Sequence, residues 1–395
     1  MDRRRFLYAV AGLPVGCFLA ARPQVQENAV LTLFLCGDVM TGRGIDQILP
    51  HPSRPDLFEP YVRSALAYVA LAEEVSGPIP RGVDPTYVWG QALEAMAKVK
   101  PDLRIVNLET AVTVSDDAWP GKGIHYRMHP HNVSVLKAFG IDCCALANNH
   151  VLDWGRRGLL ETLDVLHRAG IATAGAGRDA VEAYKPAVLP VPGKARVLVF
   201  ACGTEDSGIL PAWAAGPTQS GVNLIELSES GLAAVAEQVR AAKRPGDIVV
   251  VSVHWGGNWG FAIPSAQRWF AHALIDRAQV DLVHGHSSHH VKGIEVYRGK
   301  LILYGCGDFL NDYEGIAGYE AYRGDLGLMY FPALDPQNGR LLSLRLVPTR
   351  AKKFQVSYAP EEGVEWLVET LNREGKGLGT WVVHQPDGSL ALVWS

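Results

Sequence analysis

His284-Gly285-His286-Ser287-Ser288-His289-His290 packs four of the chain's thirteen histidines into one short stretch. The largely apolar run Val280–Val283 precedes it and Leu301–Tyr304 follows it. A strand that ends in Gly-His and turns at the two serines would hold several imidazoles at the carboxyl edge of a sheet, where open α/β sheets bind ligands. Imidazoles crowded there point to a metal. A solvated loop accounts for one histidine, but four at this spacing favour a metal, with further Asp, Glu, Asn or His ligands expected at other strand ends.

Working outward, such ends recur. Asp247–Val253 (DIVVVSV) reads as a buried strand that ends at His254-Trp255-Gly256, so His254 is the next candidate ligand. Cys143–Ala147 ends at Asn148-Asn149-His150, where an amide oxygen beside an imidazole suits a metal ligand next to a general acid. Turn chemistry alone also explains two asparagines. Asp102–Leu108 leads to Glu109, a carboxylate that a plain loop could equally present. Ala29–Leu35 leads to Gly37-Asp38 and then to Arg43 in a probable helix. Asp38 could ligate a hard or borderline cation and Arg43 could grip an anionic oxygen, the bland alternative being an N-cap Asp with a surface Arg. Asp308 and Asn311, after the run Leu301–Gly305, are near-site candidates of lower rank.

Helical patterns alternate with these strands over Tyr61–Val75, Trp89–Val99, Asn132–Phe139, Leu159–Ala169, Leu232–Lys243 and Ser265–Ala278, with further strands at Ile171–Gly177 and Arg196–Ala201. Repeated β-α units with a polar residue after strand upon strand describe a layered α/β fold whose ligands meet at one rim. Gly327–Pro332 and Leu341–Pro348 read as antiparallel strands. The tail reads as a helix, Glu361–Glu374, and a hairpin, Thr380–Val383 with Leu390–Trp394, across Pro386-Asp387-Gly388. The expected organisation is a leader over 1–24, a main domain over 29–350 and an extension over 351–395 packed on it.

Composition narrows the function. A chain of 395 residues with 48% hydrophobic content and a net charge of −4 can bury a large core but lacks the dense basic patch that nucleic acid requires. Cys36, Cys143, Cys144, Cys202 and Cys306 lie in or beside apolar runs and read as buried thiols. No GxGxxG or GxxxxGK[ST] loop is present. Arg3-Arg4-Arg5-Phe6-Leu7 followed by an apolar run to Ala21 resembles a twin-arginine export signal, which implies a periplasmic or cell-envelope location. Cys17 follows Pro14-Val15-Gly16, a poor lipobox.

Together, Gly37-Asp38-Val39-Met40-Thr41-Gly42-Arg43, Asn107-Leu108-Glu109, Ala147-Asn148-Asn149-His150 with Asp153 and Gly155, His254-Trp255-Gly256, Gly285-His286 through Gly293-Ile294-Glu295, and Tyr304-Gly305-Cys306-Gly307-Asp308-Phe309 resemble the bacterial capsule-synthesis family called CapA or PgsA. These are the poly-γ-glutamate biosynthesis proteins, similar to calcineurin-like metallophosphoesterases, and the likeness runs over about residues 30–312. It implies a layered αββα sandwich of sheets flanked by helices. It also implies metal ligands at Asp38, Glu109, Asn149, His254, His286 and His289, with His150 as the general acid. Arg43, Arg127 and Trp255 are the expected substrate contacts. Two departures stand out: Met40 replaces the superfamily's histidine, and Asn258 replaces the glutamate after His-Trp-Gly.

The implied activity is a hydrolysis in which one or two divalent ions (Mn, Fe or Zn) activate water against an anionic ester or amide. The alternative is a non-catalytic envelope protein that binds an anionic polymer for a membrane synthase complex.

Overall fold

The computed structural model describes residues 30–395. The twin-arginine motif, the boundary at residue 24 and Cys17 lie outside the described residues. Two mixed sheets form the centre. In the first, β1 (Leu31–Val39), β2 (Leu103–Leu108) and β3 (Cys143–Ala145) run parallel, with Ala172–Ala174 beyond β3. On the other side of β1 the chain returns antiparallel as Leu326–Leu334 and then Leu341–Lys352. In the second sheet, β4 (Asp247–His254) and β5 (Leu282–His286) run parallel between Ala195–Gly203 and Lys300–Leu303, and antiparallel strands Ala187–Val191 and Ile294–Tyr297 close the edges. β1 and β4 are buried almost throughout, as central parallel strands covered on both faces must be.

Side-chain alternation stacks the layers. In β4, Ile248 and Val250 join the core shared with the first sheet. Val249, Val251 and Val253 point the other way, onto Leu232, Val235 and Val239 of helix Glu229–Ala242 and Phe270 and Leu274 of helix Ser265–Ala278. On the first sheet, Phe34 meets Phe139 at 5.4 Å, and Trp89 stacks on Phe139 at 4.4 Å. Fully burying a side chain such as Phe34 contributes roughly 1.5–3 kcal/mol. The order is therefore helix, sheet, sheet, helix. His284 fastens the two sheets beneath the rim, its Nε2 lying 2.7 Å from the carbonyl oxygen of Cys36.

The organisation differs from expectation at the tail. Residue 350 falls inside the strand Leu341–Lys352, Gln355–Tyr358 pairs with that strand, and the hairpin Thr380–His384/Leu390–Trp394 extends the same sheet through Arg345↔Ala391 and Leu346↔Leu390. The strands of residues 351–395 are thus part of the main domain's sheet, while the helix Glu361–Gly375 packs against it. Four short strands also escape the periodicity: Ala187–Val191, Ile294–Tyr297, Asp308–Leu310 and Gln355–Tyr358. The first contains Pro190, which an edge strand tolerates because no ladder bond is lost.

Candidate metal centre

Two Gly-Asp pairs create the centre. A Cβ on Gly37 would fall 1.7 Å from the Gly307 carbonyl oxygen, so only glycine lets these backbones meet. That approach allows Asp38 N–H to donate to Gly307 O at 2.9 Å and sets Asp38 in register with Asp308. Two carboxylates are thereby carried to one spot at the end of β1. Asp38, His289 and Asp308 offer ligand atoms within 4.8 Å of one another, with His289 Nδ1 lying 2.8 Å from Asp308 Oδ1.

A second group shares Asp38. β5 ends at His286 and β4 at His254, and these two with Asp38 again lie within 4.8 Å. The Nδ1 atoms of His254 and His286 face each other at 2.8 Å, while His254 Nε2 lies 3.1 Å from Asn149 Oδ1 and 3.8 Å from Glu109 Oε1. Ser252 Oγ sits 2.8 Å from His286 Nε2 and fixes that ring. The backbone leaves β5 abruptly: Ser287 has φ +100°, a left-handed conformation that sets its N–H toward Asp38 Oδ2 at 3.3 Å. The six expected ligands therefore gather at one rim, divided into two groups around Asp38, with Asp308 added. Asp308 was ranked low because its placement depends on the Gly37–Gly307 contact.

The donor set suits a cation. Asp38, Glu109 and Asp308 are all buried, and among the described residues no lysine or arginine bonds to any of them. Glu109 Oε2 is buried without a hydrogen-bond partner. Burial, then the nearby Asp308, pushes Asp38 up to about 6; burial, then Asp38, drives Glu109 far above the usual carboxylate range. Burial first, helped by neighbouring positive charge, holds His254 well below its ordinary value, and burial does the same for His286, so both rings are neutral. Buried carboxylates crowded beside two facing imidazole nitrogens are what a divalent ion relieves.

His150 stands beside this set. Its Nδ1 lies 2.6 Å from Asp153 Oδ2 and 3.0 Å from Lys122 Nζ, while its Nε2 faces Glu109 Oε1 at 3.7 Å. Lys122 also pairs with Asp153 Oδ1 at 2.5 Å. Burial first, then Lys122, puts the imidazole well below its usual range; burial raises Asp153 to about 6 despite the lysine. Lys122 escaped the sequence reading because its loop has no periodicity to mark it.

The three expected substrate contacts are corrected. Arg43 Nε and Nη2 engage both oxygens of Asp312 at 3.1 and 2.5 Å, Nη1 reaches Glu59 at 3.3 Å, and the guanidinium lies 3.8 and 4.4 Å from the Tyr68 and Tyr126 ring centres. It is buried and paired, a strut rather than an anion clamp. Arg127 donates to Ser115 O, Asp116 and Arg54 O and stacks on Trp154 at 3.8 Å, so it ties loops together. Trp255 is buried in the outer core with its indole N–H on Tyr304 O at 2.9 Å. Neighbours along an extended chain face opposite ways, so with His254 turned to the rim Trp255 must turn away. The five cysteines among the described residues are free and buried, as expected.

The chain is 47% identical over 366 residues to a "probable polyglutamine synthesis accessory protein" of Mycobacterium tuberculosis, covering 92% of this chain and 96% of that one. It is 29% identical over 310 residues to the "PGA biosynthesis protein CapA" of Bacillus subtilis, covering 74% and 67%. A solved structure of a novel phosphatase from Mycoplasma pneumoniae aligns over 85% of this chain and 97% of its own at 12% identity and a TM-score of 0.44. The family described as bacterial capsule synthesis protein PGA_cap matches residues 32–313, and the chain belongs to that family.

Proposed function

We propose that the protein is an exported, metal-dependent hydrolase that acts on an anionic ester or amide during the synthesis of a capsule-type polymer. The observation that carries this reading is the buried trio Asp38, Glu109 and Asp308, ringed by His254, His286 and His289 with, among the described residues, no lysine or arginine bonded to the acids. A divalent ion bound there, with Mn, Fe and Zn all compatible with mixed oxygen and nitrogen donors, supplies Lewis acidity and a water activated near neutral pH. Asp38, His254, His286 and Asn149 would hold one position, and Asp38, His289 and Asp308 the other. His150 moves the proton at Nε2, with Asp153 holding Nδ1–H and Lys122 keeping Asp153 ionised. The depressed imidazole starts neutral and gains its proton beside an anionic substrate.

The test is hydrolysis of bis(p-nitrophenyl) phosphate with added Mn²⁺, together with metal analysis, on wild type and Asn149→Ala. Loss of turnover and of bound metal in the variant supports the proposal. Wild type that binds no metal, or turnover indifferent to the substitution, sinks it. A second reading is favoured by the word "accessory" in the mycobacterial relative's name: the same centre would hold an anionic polymer for a membrane synthase without cleaving it. Tight polymer binding without turnover, lost on chelation, would select that reading. Twin-arginine export to the periplasm or envelope belongs to the same proposal, and fractionation of cells expressing the Arg3→Lys/Arg4→Lys variant tests it.

A further inference from the structure

A cleft of about 420 Å³ opens beside the metal centre. Two of its lining residues reach into that centre. Asn311 Nδ2 donates to Asp308 Oδ2 at 2.8 Å, and the Tyr313 hydroxyl lies 3.4 Å from His289 Nε2. Trp259 forms an aromatic wall, its ring 5.5 Å from that of His289 and stacked on Tyr319 at 4.2 Å. The far side is formed by Arg350, Ala351 and Lys352, at the end of the strand Leu341–Lys352.

The charges in this cleft are unevenly satisfied. Each carboxylate has a partner: Glu314 accepts from Ser76 and from Lys353 N–H, Glu320 from Gly318 N–H, and Asp325 takes both arms of Arg323. Among the described residues, the part-buried Arg350 and the exposed Lys352 at the far side have no carboxylate partner. Arg350 Nε is buried without a hydrogen-bond partner. A guanidinium nitrogen buried without a partner is costly unless an anion meets it. Arg43 and Arg127, the arginines that the sequence suggests for this task, are fully engaged elsewhere.

Topology sets the separation. Gly327 lies against Asp308 O, pairs with Thr349, and so places Arg350 roughly two strand spacings, about 10 Å, from the Asp308 backbone. That suits a substrate with a second charge beyond the group at the metal, as in an acidic oligomer. Residues 350 and 352 also lie outside residues 32–313, the part matched by the family.

We propose that this cleft is a subsite for a second anionic group of an acidic oligomer, with Arg350 and Lys352 as its anion contacts and Trp259 and Tyr319 as its wall. The placement rests on the metal centre being where the polymer is held or cut. The shared ligand chemistry is a carboxylate or a phosphate repeated along a chain.

The experiment measures fluorescence anisotropy of a labelled γ-linked glutamate octamer, and separately of a polyphosphate of matched charge, on the full Mn²⁺-loaded chain at low salt. Arg350→Ala/Lys352→Ala is expected to weaken binding of at least one probe by about tenfold or more while metal content and Tm stay at wild-type values. The probe that loses affinity identifies the anion. Arg350→Lys, which keeps the charge but not the fork, should fall between the two. Arg298→Ala removes an arginine whose side chain is 69% exposed and controls for bulk charge. Binding of both probes unchanged by the double variant, or weakened as much by Arg298→Ala, overturns the proposal. Loss of octamer binding in the double variant upholds the subsite even if wild type hydrolyses nothing, so this result is separable from the fate of the hydrolase reading.

Discussion

Two buried clusters of charge draw on the same Asp308–Asp312 segment and are resolved in opposite ways. Around Asp312, one guanidinium bridges two carboxylates: Arg43 bonds both Asp312 oxygens and reaches Glu59, which also accepts from the Tyr68 hydroxyl. Around Asp308, three carboxylates converge beside imidazoles and amides, and among the described residues no lysine or arginine is bonded to them. The first cluster carries its own guanidinium, bonded to both acids. The second has none bonded among the described residues, and this asymmetry separates a strut from a candidate site more reliably than burial, which they share.

The comparison can be broken most forcefully at Arg43. Arg43→Ala leaves Asp312 and Glu59 buried and uncompensated, so a loss of about 3–5 kcal/mol is expected in chemical denaturation. A stable variant that instead lost oligomer affinity would make Arg43 an anion contact after all. Next in size, Asp38→Asn should lower metal affinity by about 100-fold or more, read by competition with a chelating dye. The metal-free variant should be at least as stable as metal-free wild type at pH 7, because a repelled carboxylate has been removed. Asn311→Ala, which frees one oxygen of Asp308 from its support, is expected to cost about tenfold in the same metal assay.

The smallest effect is in pH. Asp153 sits near 6 in the folded chain, above its unfolded value of 3.8, so the folded state binds the extra proton in that window and this group's contribution rises as pH falls. With metal chelated, the stability gap between wild type and Asp153→Asn should move by about 1 kcal/mol in favour of wild type from pH 7 to pH 5. A gap that moves the other way would mean that Lys122 outweighs burial at Asp153.

These contrasts show what the sequence could carry. Asp38, Asn149, His254 and His286 were legible because each follows an apolar run that declares its strand, and parallel strands deliver their ends to one rim. Asp308 was faint because its place comes from a backbone contact between Gly37 and Gly307, which no local pattern encodes. Arg43 looked available because its partners Asp312 and Glu59 lie 269 and 16 residues away. The outward turn of Trp255 was readable from strand parity with His254, whereas the union of the tail with the first sheet needed the long-range pair Leu346↔Leu390.

That union limits how the chain can be rearranged. Trimming at residue 350 would cut into the end of a strand, strip away its outer neighbours and bare a row of amides and carbonyls able to recruit other chains. Aggregation, rather than a smaller working protein, is the outcome to expect. The tail and the strand that it shields are therefore one structural unit, and a change in either is felt by the other.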